Sequence, residues 1–183
     1  MRTMTCLRIL CGLAAVAGTA FATTVIPLSI EKLTTESAAV VEARAIDARS
    51  AWNAEHTRIY TYTRFQVGRV LKGKASQTIT VKQIGGSAGG YTQKVAGVRH
   101  WNPGDEAVLF LHPSAEKDGT LAVTGLMQGN FSMRHLPSGE VVVSNGAPDV
   151  SAFQTEKRSV DAYRGAHLSL RELESRVEKA EGR

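Results

Sequence analysis

The chain predicts an all-β fold: a small β-barrel of about six to seven strands, with a short N-terminal helix and a second helix at the C-terminus. Three observations predict it. Residues His56 to Lys74, HTRIYTYTRFQVGRVLKGK, alternate with a period of two over an unusual length. Turn-forming clusters of Gly, Pro, Asn, Asp and Ser recur at intervals that suit a barrel or sandwich. Two LS-x-x-x-L segments, Leu28 to Leu33 and Leu168 to Leu173, carry helix-start chemistry at either end.

Residues 1–22 read as a cleaved signal peptide. Arg2 and Arg8 give a positive start, Ile9 to Ala17 is apolar, and Ala20-Phe21-Ala22 is a small-x-small cleavage site. Cleavage after Ala22 makes Thr23 the new N-terminus and directs the protein to a secreted or periplasmic location. Both cysteines, Cys6 and Cys11, fall in the removed segment. The mature chain then has no disulfide, no thiolate metal site and no cysteine nucleophile. The formal charge of +5 includes the two arginines of that segment. The remaining excess is mild and scattered, which speaks against a nucleic-acid partner. No further stretch is long and apolar enough to span a membrane.

Residues 23–145 read as the barrel domain. Ser29 caps a short helix that ends near Glu36, with Glu31 at its positive end and Leu28 against Leu33 as a staple. Ser37 to Asp47 reads as the first strand, with Ala39, Val41, Ala43 and Ala45 on one face. The long alternating stretch follows. Ile59, Thr61, Thr63, Phe65 and Val67 fall on one side; Tyr60, Tyr62, Arg64 and Gln66 fall on the other. Ile59 to Leu71 would extend over roughly 40 Å at about 3.3 Å per residue. Gly68 is the expected bulge, turning Val70 back to the core. Gln77 to Ile84 returns antiparallel, with Ile79 and Val81 inward. Residues 85–90, GGSAGG, read as a mobile loop, followed by a strand over Tyr91 to Val98. Asn102 to Asp105 is a turn, and Ala107 to Leu111 is apolar without alternation, hence buried on both faces. A turn at Lys117 to Gly119 leads to a strand over Thr120 to Leu126. A last hairpin joins Gly129 to His135 with Glu140 to Ser144.

Residues 146–183 read as a surface-wrapping tail with a C-terminal helix. Asn145 to Ala166 has little pattern. Ser169 and Glu172 then form a capping box for a helix over Leu170 to Ala180, with Leu170, Leu173 and Val177 on one face and Glu172 paired to Arg176.

The chemical motifs point to binding. Gly85-Gly86-Ser87-Ala88-Gly89 matches G-x-S-x-G, but a nucleophile elbow needs a helix after the serine, and Gly90-Tyr91-Thr92-Gln93 is no helix start. The plain reading of this segment is a glycine-rich loop that contacts a partner. His56, His100, His112, His135 and His167 show no local metal-ligand spacing. Asp105 and Glu106 are neighbours and would diverge on a strand. No catalytic residue, cofactor or metal is therefore assigned. Tyr60 and Tyr62, with Arg64, line one face of the long strand as a candidate stacking surface; the plain alternative is packing under a covering element.

The order of these features resembles the tissue inhibitors of metalloproteinases and the wider netrin-like modules. Residues 37–45, SAAVVEARA, look like that family's first strand, A-D-V-V-x-x-A-x-V. Val70-Leu71-Lys72-Gly73 is similar to its second strand with a terminal K-G. Residues 77–89 resemble the third strand and its loop, and residues 104–110, GDEAVLF, resemble the G-x-x-Y-L strand. The likeness covers about Thr23 to Phe131 and implies an OB-type barrel. In the inhibitors the mature end reads C-T-C-x-P, and its α-amine and first carbonyl bind the protease's zinc. Here the expected end is Thr23-Thr24-Val25-Ile26-Pro27, with Thr23 and Val25 in place of the cysteines. The signal peptide and the lack of a convergent catalytic set lead to the expectation of an exported, non-enzymatic binding module, and the resemblance implies that its partner is a protein, an exported metalloprotease among the candidates. It would be contacted through Thr23, Thr24, Gly86, Ser87 and Ala88. The alternative is a carbohydrate or cell-envelope ligand bound by Tyr60, Tyr62 and Arg64.

Overall fold

The computed structural model describes residues 24–182 apart from 117, 148, 155 and 157; the expected signal peptide and Thr23 lie outside the described residues. In chain order the elements are β1 (Thr24–Val25), α1 (Ile30–Glu36), β2 (Ala39–Trp52), β3 (Ile59–Lys72), β4 (Thr78–Ile84), β5 (Gly86–Ala88) and β6 (Tyr91–Gln93). There follow β7 (Glu106–Pro113), β8 (Leu121–Val123), β9 (Asn130–His135), β10 (Val141–Ser144), β11 (Ser151–Gln154), β12 (Ser159–Ala162), β13 (His167–Ser169) and α2 (Leu170–Ala180).

Five strands close a barrel in the order β2-β3-β4-β8-β7 and back to β2. Every seam is antiparallel except β4 with β8. This is an OB-like barrel, and β9, β10 and β13 extend the same sheet beyond β7. The barrel is filled by Val41, Ala43, Phe65, Val81, Leu109 and Leu111, with Trp101 edge-on to Phe65 at 4.9 Å. The unbroken apolar run at Ala107–Leu111 has the expected cause. Ala107, Leu109 and Leu111 enter the barrel; Val108 and Phe110 face a second core shared with Ile30, Leu33, Leu173 and Val177 of the two helices.

Both helices begin where capping chemistry places them. The Ser29 hydroxyl accepts from Lys32 N–H and the Ser169 hydroxyl from Glu172 N–H. Arg176 does not turn back to Glu172. Its Nε and Nη2 donate to Glu31 at 2.7 and 2.9 Å and clamp α2 to α1. That fork holds the Glu31 carboxyl down to about 2.

Several strand expectations need correction. The first strand runs on to Trp52, because β3 continues to offer it ladder partners as far as Ile59. The strand expected over Tyr91 to Val98 is formed only over Tyr91–Gln93 and continues as loop, and the one expected over Thr120 to Leu126 shortens to Leu121–Val123. Gly68 is bulged as expected: Ala43 pairs with Val67 and Glu42 with Arg69. Val70 does return opposite Val41 but lies at the barrel rim, 41% exposed, and Leu71 is the buried residue, on the helix side. Gly73 then ends the strand at φ +72°, where a Cβ would stand 2.1 Å from the Ala38 carbonyl oxygen. The K-G at this corner is thus a steric requirement.

The described residues of the stretch 145–166 are structured. β11 and β12 pair antiparallel, β1 joins β11 in parallel, and Val25, Met127, Val150, Ala152 and Tyr163 make a third small core. Its strands are only four residues long, too short for a readable alternation.

Candidate binding face

The outer face of β2, β3 and β4 is built by register. Opposed residues of an antiparallel pair share a face. Thus Asp47 with Arg64, Arg49 with Tyr62 and Ala51 with Tyr60 lie outward, while Ala45 with Phe65 lies inward. Thr80, Lys82 and Ile84 of β4 continue these three outer rows beside Arg64, Tyr62 and Tyr60. The bulge that makes this possible is Ile46, which has no partner between Ala45 and Asp47. Without it, Asp47 and Arg49 would alternate into the barrel.

The face is a ladder of cations and rings. Lys82 Nζ lies 4.4 Å from the Tyr60 ring centre and 5.4 Å from that of Tyr62, and the Arg49 guanidinium lies 5.5 Å from Tyr62 on the row's other side. The Lys82 side chain is only 9% exposed and also meets Glu116 and, at 3.5 Å, Asp118. Thr120, through its hydroxyl and amide, and then Lys82 hold the Asp118 carboxyl below its ordinary range. Arg64 donates Nε and Nη2 to Asp47 Oδ2 at 2.8 and 2.5 Å. Among the described residues Arg49 has no carboxylate partner. Asp47, Arg49, Tyr62, Arg64 and Thr80 line a concavity of about 360 Å³. This set offers hydroxyl, guanidinium and carboxylate groups on a rigid sheet, which suits recognition of a polar ligand.

Tyr60, Tyr62 and Arg64 are therefore brought together, and among the described residues no helix covers them; α2 meets β3 at the far end, near Leu71. Sequence reasoning missed Arg49 and Lys82. Lys82 was legible as an outward residue of β4, but the partner of Arg49 depends on the Ile46 bulge, which no turn residue marks.

The other expected contact residues sit apart. Thr24 pairs with Ser151 in the small sheet. Gly86, Ser87 and Ala88 form β5, which pairs with β6 across Gly89 and Gly90, both at positive φ. The expected loop is a tight hairpin. It lies flush on the barrel end, since a Cβ on Gly86 would stand 2.3 Å from Thr61 Oγ1 and 2.4 Å from Ser50 Oγ. The Ser87 hydroxyl bonds to that of Thr92 at 2.8 Å. Beside this hairpin Trp52 stacks on His56 at 5.9 Å and meets the Tyr91 edge at 5.7 Å. No spacing in the sequence links those three residues.

No family model matches the chain, and no curated protein matches it. The remaining chemistry is local. His100 lies by the Ile84 carbonyl, His112 by that of Pro113, and His135 by Glu106. Among the described residues no group of three or more His, Cys, Asp or Glu is placed to hold a metal ion, and no helix is long and apolar enough to cross a membrane.

Proposed function

We propose that the chain is an exported, non-enzymatic binding module that takes a carbohydrate or another polar cell-envelope ligand on the outer face of β2, β3 and β4. The row Arg49–Tyr62–Lys82 carries this reading: a ring held between two cations, one of them with no carboxylate partner among the described residues. On OB-type barrels the face of the second and third strands, between the first–second and fourth–fifth connections, is the usual ligand surface. Here that face is β3 and β4, between residues 53–58 and 114–120. The test is a glycan array and pull-down from cell envelopes with the wild type and Tyr62→Ala. Tyr62→Ala should abolish capture of the bound glycan; capture that survives it unchanged counts against the face.

The inhibitor-like reading has one observation in its favour. β1 is held by β11, so Thr24 is ordered without a disulfide. Part of the ordering cost of about 1–2 kcal/mol per fixed residue is then met before any partner arrives. Metalloprotease inhibition that survives one extra residue ahead of Thr23 would reject this mechanism.

A further inference from the structure

We propose a second binding site, for an oxyanion, in the cleft between the 99–105 loop and β9. The cleft has a volume of about 530 Å³ and is lined by Arg44, Arg99, Arg134 and His135 and by the acids Asp105 and Glu106. Arg99 is preorganised. Its Nη1 donates to Ser132 Oγ at 2.5 Å and its Nη2 to the Gly146 carbonyl at 3.1 Å. Both acceptors are neutral, so the guanidinium is fixed while its charge stays uncompensated, and three of its five N–H groups remain to be satisfied. Ser132 and Arg134 are two residues apart on β9 and share a face. A guanidinium held at Ser132 therefore lies one pleat, about 7 Å, from the base of Arg134.

The nearby acids are already engaged. Glu106 accepts from Arg44 on Oε1 and meets His135 on Oε2. These contacts, that of His135 first, hold its carboxyl below the ordinary range. Asp105 Oδ2 accepts the Asn102 N–H and closes its own turn. Among the described residues Arg99 and Arg134 have no carboxylate within ion-pair distance, and the Arg134 side chain makes no hydrogen bond. Two cations on one concave wall, one locked by neutral partners, suit a carboxylate or a phosphate ester, whose oxygens accept two parallel N–H bonds.

The test is titration of the ¹⁵N-labelled protein with inorganic phosphate and, separately, with citrate at constant ionic strength, following the amides of Arg99, Ser132 and Arg134. Saturable shifts are expected with at least one anion. Arg134→Ala should weaken binding about five- to tenfold. Arg99→Lys, which keeps the charge and loses the fork, should weaken it by a similar factor. Arg171→Ala on α2 removes one positive charge elsewhere and should change it by less than about twofold. A response to phosphate alone names a phosphate ester, and one to citrate alone a carboxylate. Non-saturating shifts with both anions, or saturable binding that Arg134→Ala leaves unchanged, overturn the site.

Discussion

Replacing Gln83 by methionine should stabilise the protein. Gln83 faces the barrel interior opposite Thr61 and is 6% exposed. Neither its side-chain oxygen nor its nitrogen has a hydrogen-bond partner among the described residues, and Thr63 Oγ1, nearby on β3, has none either. A buried polar group without a partner costs about 1–3 kcal/mol. Methionine has a similar length and volume and no strong polar group, so overpacking is avoided. The expected gain is about 1–3 kcal/mol. For a domain of this size each kcal/mol moves Tm by about 2–4 °C, so an increase of roughly 2–12 °C should be visible. Urea unfolding separates the cause: the midpoint should rise with an unchanged m-value. A loss of 1 kcal/mol or more, which exceeds the error of that assay, would refute the reasoning, because it would mean the amide is satisfied in solution. Thr63→Val, nearly isosteric, should act in the same direction and add to the first change.

Three other outcomes follow from the geometry. Gly73→Ala places a Cβ against the Ala38 carbonyl at a positive φ, and should cost about 2–3 kcal/mol or more in urea unfolding. The Glu31 carboxyl is held at about 2 by Arg176, below its unfolded value of about 4.3. Its contribution is therefore full above that value and is lost as pH falls toward 2; both groups are well exposed, so it should be under about 1 kcal/mol, and Glu31→Gln should flatten the acid limb of a pH–stability curve by that amount. Glu42 behaves in the opposite sense. Burial first, and then the neighbouring Glu174 carboxyl, push its pKa up against the pull of Arg69, so it costs stability as pH rises through its folded value, and Glu42→Gln should be neutral to stabilising at pH 7, by under about 1 kcal/mol, with the advantage gone at pH 4.

The elements that local chemistry determines were legible in the sequence. Ser29 and Ser169 mark their helices because a hydroxyl at the N-cap satisfies an amide whatever the rest of the fold does. The β3–β4 hairpin was legible because one face of it is continuously apolar or Thr-rich. What could not be read depends on partners distant in sequence. β11 and β12 are strands because Ala152 and Tyr163 meet Met127 and Val25 in a core that no local run announces. Arg176 chooses Glu31 over Glu172 because α1, 145 residues earlier, lies across α2 with its first turn in reach of a bidentate fork. The glycine segment looked loose because each glycine alone permits many conformations. Its positive φ values at Gly85, Gly86, Gly89 and Gly90 are instead all used: Gly85 passes close to the Gln93 carbonyl and His100, Gly86 lies against Ser50 and Thr61, and the last two turn the hairpin.

The candidate face shows the same division more sharply. Tyr60, Tyr62 and Arg64 were found by period two alone, since β3 is regular from Ile59 to Phe65. Which residues stand beside them depends on β2, and there the phase is reset. Ile46 is bulged and itself 41% exposed, a poor place for an isoleucine on hydrophobic grounds alone. Its position makes sense through its consequence. The residues before it put Val41, Ala43 and Ala45 into the barrel, and those after it put Asp47 and Arg49 outside, against Arg64 and Tyr62. A strand in strict alternation would have had to bury Asp47 and Arg49 among Phe65 and Val81, at several kcal/mol for each uncompensated charge. The exposed isoleucine is the smaller cost. One irregular residue thus lets a single strand serve the core at one end and a polar outer surface at the other.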